Sequence, residues 1–245
     1  MQNFKLILSY DGRRYKGWQK QGNTENTIQG KLETLLSRIL QQDIELAGSG
    51  RTDAGVHAAA QVCSFRAETK LSPAELLAEI RRYLPEDIGA LSLQYAEPRF
   101  HARLSCKEKT YLYRIRAGSS PNVFDRHYCY TMQESLNIPA MEQAAALILG
   151  KHDFTAFCSN KHMKKSAVRV LKSIDFRKSG ELLEISLTGN GFLYNMVRII
   201  VGSLIEIGLG HREPGWLLDA LISKDRQNAG PTAPAQGLFL WSVEY

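Results

Sequence analysis

The order of helix-like and strand-like segments constrains this chain more than any other feature. Over roughly the first hundred residues it runs strand–helix–strand–strand–helix–strand. Phe4 to Ser9 alternates weakly and reads as a strand. Thr27 to Gln41 sets Ile28, Leu32, Leu35, Leu36 and Ile39 at helical spacing, behind a cap at Asn26 or Thr27. Ile44 to Ala47 and Gln61 to Phe65 are strand-like runs on either side of a polar loop. Ser72-Pro73-Ala74-Glu75 opens a second helix, with Ser as cap, Pro at the first helical position and Glu at the third. Leu84-Pro85 ends it, and Ile88 to Ala96 follows as a strand.

The second half repeats this logic loosely. Lys109 to Arg116 alternates as a strand, Ile138 to Leu149 is an Ala-rich helix closed by Gly150, and Val168 to Arg177 with Leu182 to Thr188 forms a hairpin turning near Ser179-Gly180. Asn195 to Ile207 is a strongly apolar helix, Pro214 to Ser223 another, and Leu238 to Tyr245 a closing strand. Residues 117 to 137 and 225 to 237 are looser in composition. The order predicts an α+β fold rather than βαβ alternation. The expected architecture is two similar ferredoxin-like α/β halves, residues 1–105 and 106–245, sharing a long, mostly antiparallel central sheet. Helices would cover one face, with the active-site cleft on the other.

At 245 residues, 44% hydrophobic and 23% charged, the chain can bury a sizeable core. Thirty-one Lys and Arg against 25 Asp and Glu give a net charge of +6, which suits a polyanionic partner without proving one. The distribution is more telling: Arg13, Arg14, Lys16 and Lys20 cluster before the first helix, and Lys161, His162, Lys164 and Lys165 cluster in a later loop. Cys63, Cys106, Cys129 and Cys158 are far apart, show no metal-ligand spacing, and are expected to be reduced thiols. The apolar run near the amino terminus is too short for a signal peptide, and Met196 to Leu209 is interrupted by Arg198 and Glu206. A soluble, cytoplasmic protein is expected.

The polar loop is Gly48-Ser49-Gly50-Arg51-Thr52-Asp53-Ala54-Gly55-Val56-His57-Ala58. It sets a cation, a hydroxyl, a carboxylate and an imidazole between glycines that permit sharp turns. An isolated Arg-Thr-Asp is more often a surface turn whose Asp caps an amide. A carboxylate such as Asp53 can serve as nucleophile, base or metal ligand. Metal binding is poorly supported, since only His57 lies at productive local spacing. A nucleophilic Asp must stay ionised, which a nearby guanidinium favours. Arg51 is two residues away; a partner from elsewhere would leave it for another task.

Arg198 is the unusual cation, set in the apolar helix Met196-Val197-Arg198-Ile199-Ile200-Val201-Gly202-Ser203-Leu204. It must snorkel outward or be paired internally. The apolar surroundings favour a buried or cleft-side ion pair, with Asp53 as the expected partner. Tyr111, on a strand beside Lys107, Glu108 and Lys109, offers a stacking face and a hydroxyl, although a strand Tyr usually only packs. The run from Tyr10 to Gln21 mixes phosphate-seeking cations with aromatic rings, or is a solvated loop with aromatic anchors. Gly48-Ser49-Gly50 lacks the pattern of a nucleotide-binding loop, and dispersed His57, His101 and His152 support no Ser-His-Asp triad.

Together these pieces resemble the tRNA pseudouridine synthase A family. The matching strings are Tyr10-Asp11-Gly12, Gly17-Trp18-Gln19, Gly50 to Ala58, Phe100-His101-Ala102-Arg103, Lys109-Thr110-Tyr111-Leu112-Tyr113, His152-Asp153-Phe154, Met196 to Leu204, and the terminal Gly237-Leu238. The resemblance implies an isomerase that converts uridine to pseudouridine at positions 38, 39 and 40 of the tRNA anticodon stem-loop. It implies no cofactor, no metal and a homodimer. By position, Asp53 matches the nucleophile, Tyr111 the active-site tyrosine and Arg198 the arginine paired with the carboxylate. Arg51 matches the residue that enters the helix as the target flips. Arg13, Arg14, Lys16, Lys20 and His57 are expected to contact RNA. Competing readings are a non-catalytic RNA-binding protein, a synthase acting at other RNA positions, and a hydrolase using Asp53, which lacks a second acid or triad.

Overall fold

A computed structural model describes residues 1–118, 122–160 and 166–245. The Lys161 to Lys165 cluster lies outside the described residues. The chain divides into two compact units, Met1–Lys107 with Phe239–Tyr245, and Glu108–Leu238. The fold is α+β, with mostly antiparallel pairing in both units.

The first unit contains β1 (Gln2–Tyr10), α1 (Ile28–Leu40), β2 (Ala47–Gly48), β3 (His57–Ala67), α2 (Pro73–Tyr83) and β4 (Ile88–Tyr95). Antiparallel pairing joins β1 to both β3 and β4. The closing strand, Leu238–Glu244, lies parallel to β3, with Phe239 opposite His57 and Leu240 opposite Ala58. That pairing gathers the carboxyl end of the chain into the first unit. Helix α1 starts where the Thr27 hydroxyl accepts the Gly30 N–H, and buries Ile28, Leu32, Leu35 and Leu36. In α2, Ser72 and Glu75 form a reciprocal capping box, and Leu76 and Ile80 face inward.

The second unit contains β5 (Glu108–Ala117), β6 (Tyr130–Met132), α3 (Ile138–Ala146), β7 (Gly150–Asp153), β8 (Val168–Ser179), β9 (Leu182–Gly189), α4 (Met196–Gly208) and α5 (Trp216–Ser223). The closing strand is then β10. Antiparallel pairs β5–β9, β9–β8 and β8–β7 form its sheet, with short β6 added parallel to β5.

Two segments depart from the periodicity. Ile44 to Ala47 pairs only at its end, as β2, because helix α1 satisfies its amides. Ser37 Oγ accepts the Ile44 N–H and Glu33 Oε1 accepts the Leu46 N–H, both at 3.0 Å. Helix α3 stops at Ala146 rather than Leu149. The N–H groups of Leu147 and Ile148 bond three residues back, tightening the last turn, and Gly150 (φ 100°) opens β7.

Candidate active-site residues

The loop that carries Asp53 is held from beneath by the first unit's sheet. Strand β3 places Gln61 on its inner side, opposite Leu8 of β1, and the Gln61 side chain is fully buried. Ser49 Oγ donates to Gln61 Oε1 at 2.6 Å, and Gln61 Nε2 donates to the Gly50 carbonyl at 3.0 Å. The same Nε2 is 3.4 Å from the Tyr10 hydroxyl, which is 2.8 Å from Thr52 Oγ1. The Trp18 N–H donates to the Thr52 carbonyl at 3.0 Å, and the Val56 N–H closes a tight turn onto the Asp53 carbonyl at 3.1 Å. Gly17, at φ 95°, is required here: a Cβ would lie 2.7 Å from the Thr52 oxygen. Within this frame Asp53 is half-buried and Arg51 exposed.

The cations expected to contact RNA are partly committed to carboxylates within the unit. Arg13 grips Asp11 with Nε at 2.7 Å and Nη2 at 2.6 Å. Lys20 Nζ lies 3.2 Å from Glu33, a buried carboxylate, and Arg14 lies 3.7 Å from Asp87. Lys16 is exposed. The three rings interleaved with them are buried: Tyr10, Tyr15 and Trp18 anchor the loop and do not offer stacking faces to solvent. Tyr15 donates to Asp87 Oδ1 at 2.5 Å, and burial with that carboxylate pushes its phenol well above the usual range.

His57 corrects an expectation. It is 1% exposed and stacks on Phe239 with centroids 4.7 Å apart, so it has no surface to give to RNA. The Gly12 N–H donates to His57 Nδ1 at 3.2 Å, which assigns the neutral ring's proton to Nε2. A ring protonated on both nitrogens would instead meet Asp11 Oδ1, also 3.2 Å away. His57 thus ties the Asp11–Gly12 turn to the far end of the Asp53 loop.

In the second unit, Tyr111 lies buried in β5 with its ring edge-on to Phe192, at 5.1 Å and 81°. Arg198 occupies the first turn of α4, half-buried among fully buried Val197, Ile199, Ile200 and Val201. Its Nε donates to the Ala233 carbonyl at 2.7 Å and Nη1 to Asn195 Oδ1 at 3.0 Å. The Ala233 N–H returns a bond to the Arg198 carbonyl at 3.0 Å. Asn195, in the left-handed region at φ 62°, also donates to Ser159 Oγ. The guanidinium is therefore docked on backbone and amide and does not merely trail outward. Next along β5, Tyr113 donates to the Pro234 carbonyl at 2.8 Å, and burial raises its phenol pKa.

Sequence reasoning missed Gln61 as a part of the site. The available signal was one glutamine in the largely apolar strand from His57 to Phe65. Among the described residues, no group of three or more His, Cys, Asp or Glu is arranged to hold a metal.

An α+β protein with a glycine-bracketed carboxylate loop belongs to a broad class, and comparison with known proteins narrows it. The family described as tRNA pseudouridine synthase matches residues 6–103 and 144–245. A tRNA pseudouridine synthase A of Bacillus sp. (strain KSM-64) is 46% identical over 245 residues, 100% of both chains. A tRNA pseudouridine synthase A 2 of Bacillus cereus (strain ZK / E33L) is 44% identical, also over 100% of both. A tRNA pseudouridine synthase A of Geobacillus kaustophilus (strain HTA426) is 44% identical over 100% of this chain and 95% of that protein. The chain belongs to the tRNA pseudouridine synthase family, isomerases that convert uridine in tRNA to pseudouridine.

Proposed function

We propose that this protein isomerises uridines 38, 39 and 40 in the anticodon stem-loop of tRNA, with Asp53 as nucleophile. The observation that carries the reading is the placement of Asp53 on a loop whose backbone is bonded on both sides of it. A carboxylate that must meet one reacting atom gains from such fixing. Isomerisation breaks the N1–C1′ bond, turns the uracil and joins C5 to C1′. The C5 proton is lost and N1 gains one, so nothing is oxidised and no redox cofactor is needed. The carboxylate is required in its ionised form, whether it attacks C1′, adds to the ring or assists a glycal route.

Tyr111 is assigned to stacking on the uracil and assisting proton removal, and Arg198 to keeping the Asp53 carboxylate ionised. Arg51, exposed beside Asp53, takes the place vacated by the flipped nucleotide. Extruding a base costs a few kcal/mol, least at a loop or stem end, which suits an anticodon arm. Reading shape and phosphates rather than base edges accounts for acceptance of adjacent positions. Arg13, Arg14, Lys16 and Lys20 supply that charge, tempered for Arg13, Arg14 and Lys20 by their carboxylate partners. The protein acts as a homodimer in the cytoplasm; among the described residues no helix is long and apolar enough to cross a membrane.

Mapping pseudouridine in an unmodified tRNA transcript after incubation with the protein tests this directly. New pseudouridine confined to positions 38–40 is expected. Modification only at other positions would overturn the substrate assignment, and tRNA binding without any product would favour the RNA-binding reading.

A further inference from the structure

We propose that Gln61 is a positioning residue for the isomerisation: its buried carboxamide sets the backbone of the loop that presents Asp53. The inference rests on the reading of Asp53 as nucleophile. Gln61, Ser49 and Thr52 are buried with Tyr10 in one connected polar group beneath the loop. The Gly50 carbonyl can only accept, so the amide must turn its NH2 toward it and its oxygen toward Ser49. Ser49 therefore donates. The Tyr10 hydroxyl accepts the second Nε2 hydrogen and shares a further hydrogen bond with Thr52 Oγ1, in which either oxygen can donate. The connected bonds run from Gln61 through Tyr10 to Thr52 and end one peptide before Asp53.

The Gln61 side chain bonds to Ser49 and Gly50 of the loop and to the Tyr10 hydroxyl rather than to the backbone of a neighbouring strand. A buried amide is expensive unless fully bonded, and an apolar residue would serve the sheet as well. What an apolar residue would not do is hold Ser49, Gly50 and Thr52 in register over a rigid strand. Displacing a reacting group by about 1 Å costs on the order of a hundredfold in rate.

The test compares Gln61→Met, Gln61→Glu and Tyr10→Phe with wild type in single-turnover conversion of an unmodified tRNA transcript and in tRNA binding. Folded fraction is normalised by circular dichroism. Gln61→Met keeps the length and removes the bonds; its rate is expected to fall about ten- to hundredfold with tRNA affinity within about threefold. A protonated Gln61→Glu can still accept from Ser49 and donate to Gly50, whereas the ionised form repels that carbonyl. Its rate relative to wild type at the same pH is expected to fall as pH rises. Tyr10→Phe, which cuts only the link to Thr52, is expected to show a smaller loss in the same rate.

Wild-type rates in Gln61→Met, or a loss confined to tRNA affinity, would overturn the proposal. So would a Gln61→Glu rate that tracks wild type at every pH. Should Gln61→Met fail to fold, the other two variants decide. Asp53→Asn run in parallel separates the two ideas. Product from Asp53→Asn contradicts the nucleophile assignment, whereas an inert Asp53→Asn beside a fully active Gln61→Met overturns the role of Gln61 alone.

Discussion

Gly12 lies so near the Val56 carbonyl that a Cβ there would sit 1.9 Å from the oxygen. No side chain yields in that contact, because both partners are backbone. Gly12→Ala is expected to destabilise the protein by about 2–3 kcal/mol, as overpacking does, and to disturb the His57 contact. Chemical denaturation would show it; an unchanged midpoint would contradict the close approach. At this scale the loop around Asp53 was legible, since glycines bracketing polar groups announce a turn. The support beneath it was not. Gln61 reaches Tyr10 across fifty-one positions, and periodicity carries no information about which distant hydroxyl a buried amide meets. Sequence position suggests an RNA contact for His57 because it sits among polar groups. It leaves the rings of Tyr10, Tyr15 and Trp18 open between stacking faces and anchors of a solvated loop; burial favours the anchors. Tyr10, Tyr15 and Trp18 turn inward between exposed Arg13, Arg14 and Lys16, and His57 lies in a stretch buried from Val56 to Ala58.

Elements were legible wherever a cap and a periodic face agreed. Helix α2 is the clearest, with Ser72, Pro73 and Glu75 each in the place that local hydrogen bonding demands. Ser72→Ala removes the acceptor for the Glu75 N–H and the hydroxyl that holds the Glu75 carboxylate. It is expected to cost about 1 kcal/mol, a drop of roughly 2–4 °C in Tm for a chain of this size. Thermal unfolding checks it, and a Tm within error of wild type would count against the box. Legibility failed where side chains replace a ladder: Ile44 and Leu46 look like a strand, yet Ser37 and Glu33 of α1 take their amides. It failed again at β6, three residues long and too short to show a period.

Across the whole molecule, the burial of neutral acids predicts a loss of stability at alkaline pH. Burial raises the pKa of Cys63, Tyr10 and Tyr113 above their ordinary values of 9.0 for the thiol and 10.0 for the phenols. All three stay protonated in the folded chain where the unfolded chain has begun to lose protons. Their contribution is fully present below the unfolded values and is lost as pH rises through the folded ones, so stability should decline from about pH 9 upward. Denaturation midpoints between pH 8 and about 11 would reveal it; a flat profile would contradict the burial of these groups. Activity makes the sharper demand. The most direct measurement is tritium release or mass-spectrometric pseudouridine detection with Asp53→Asn on unmodified tRNA, alongside its tRNA affinity. The expected result is binding within a few-fold of wild type and no pseudouridine; product formed by the variant would contradict the role given to that carboxylate.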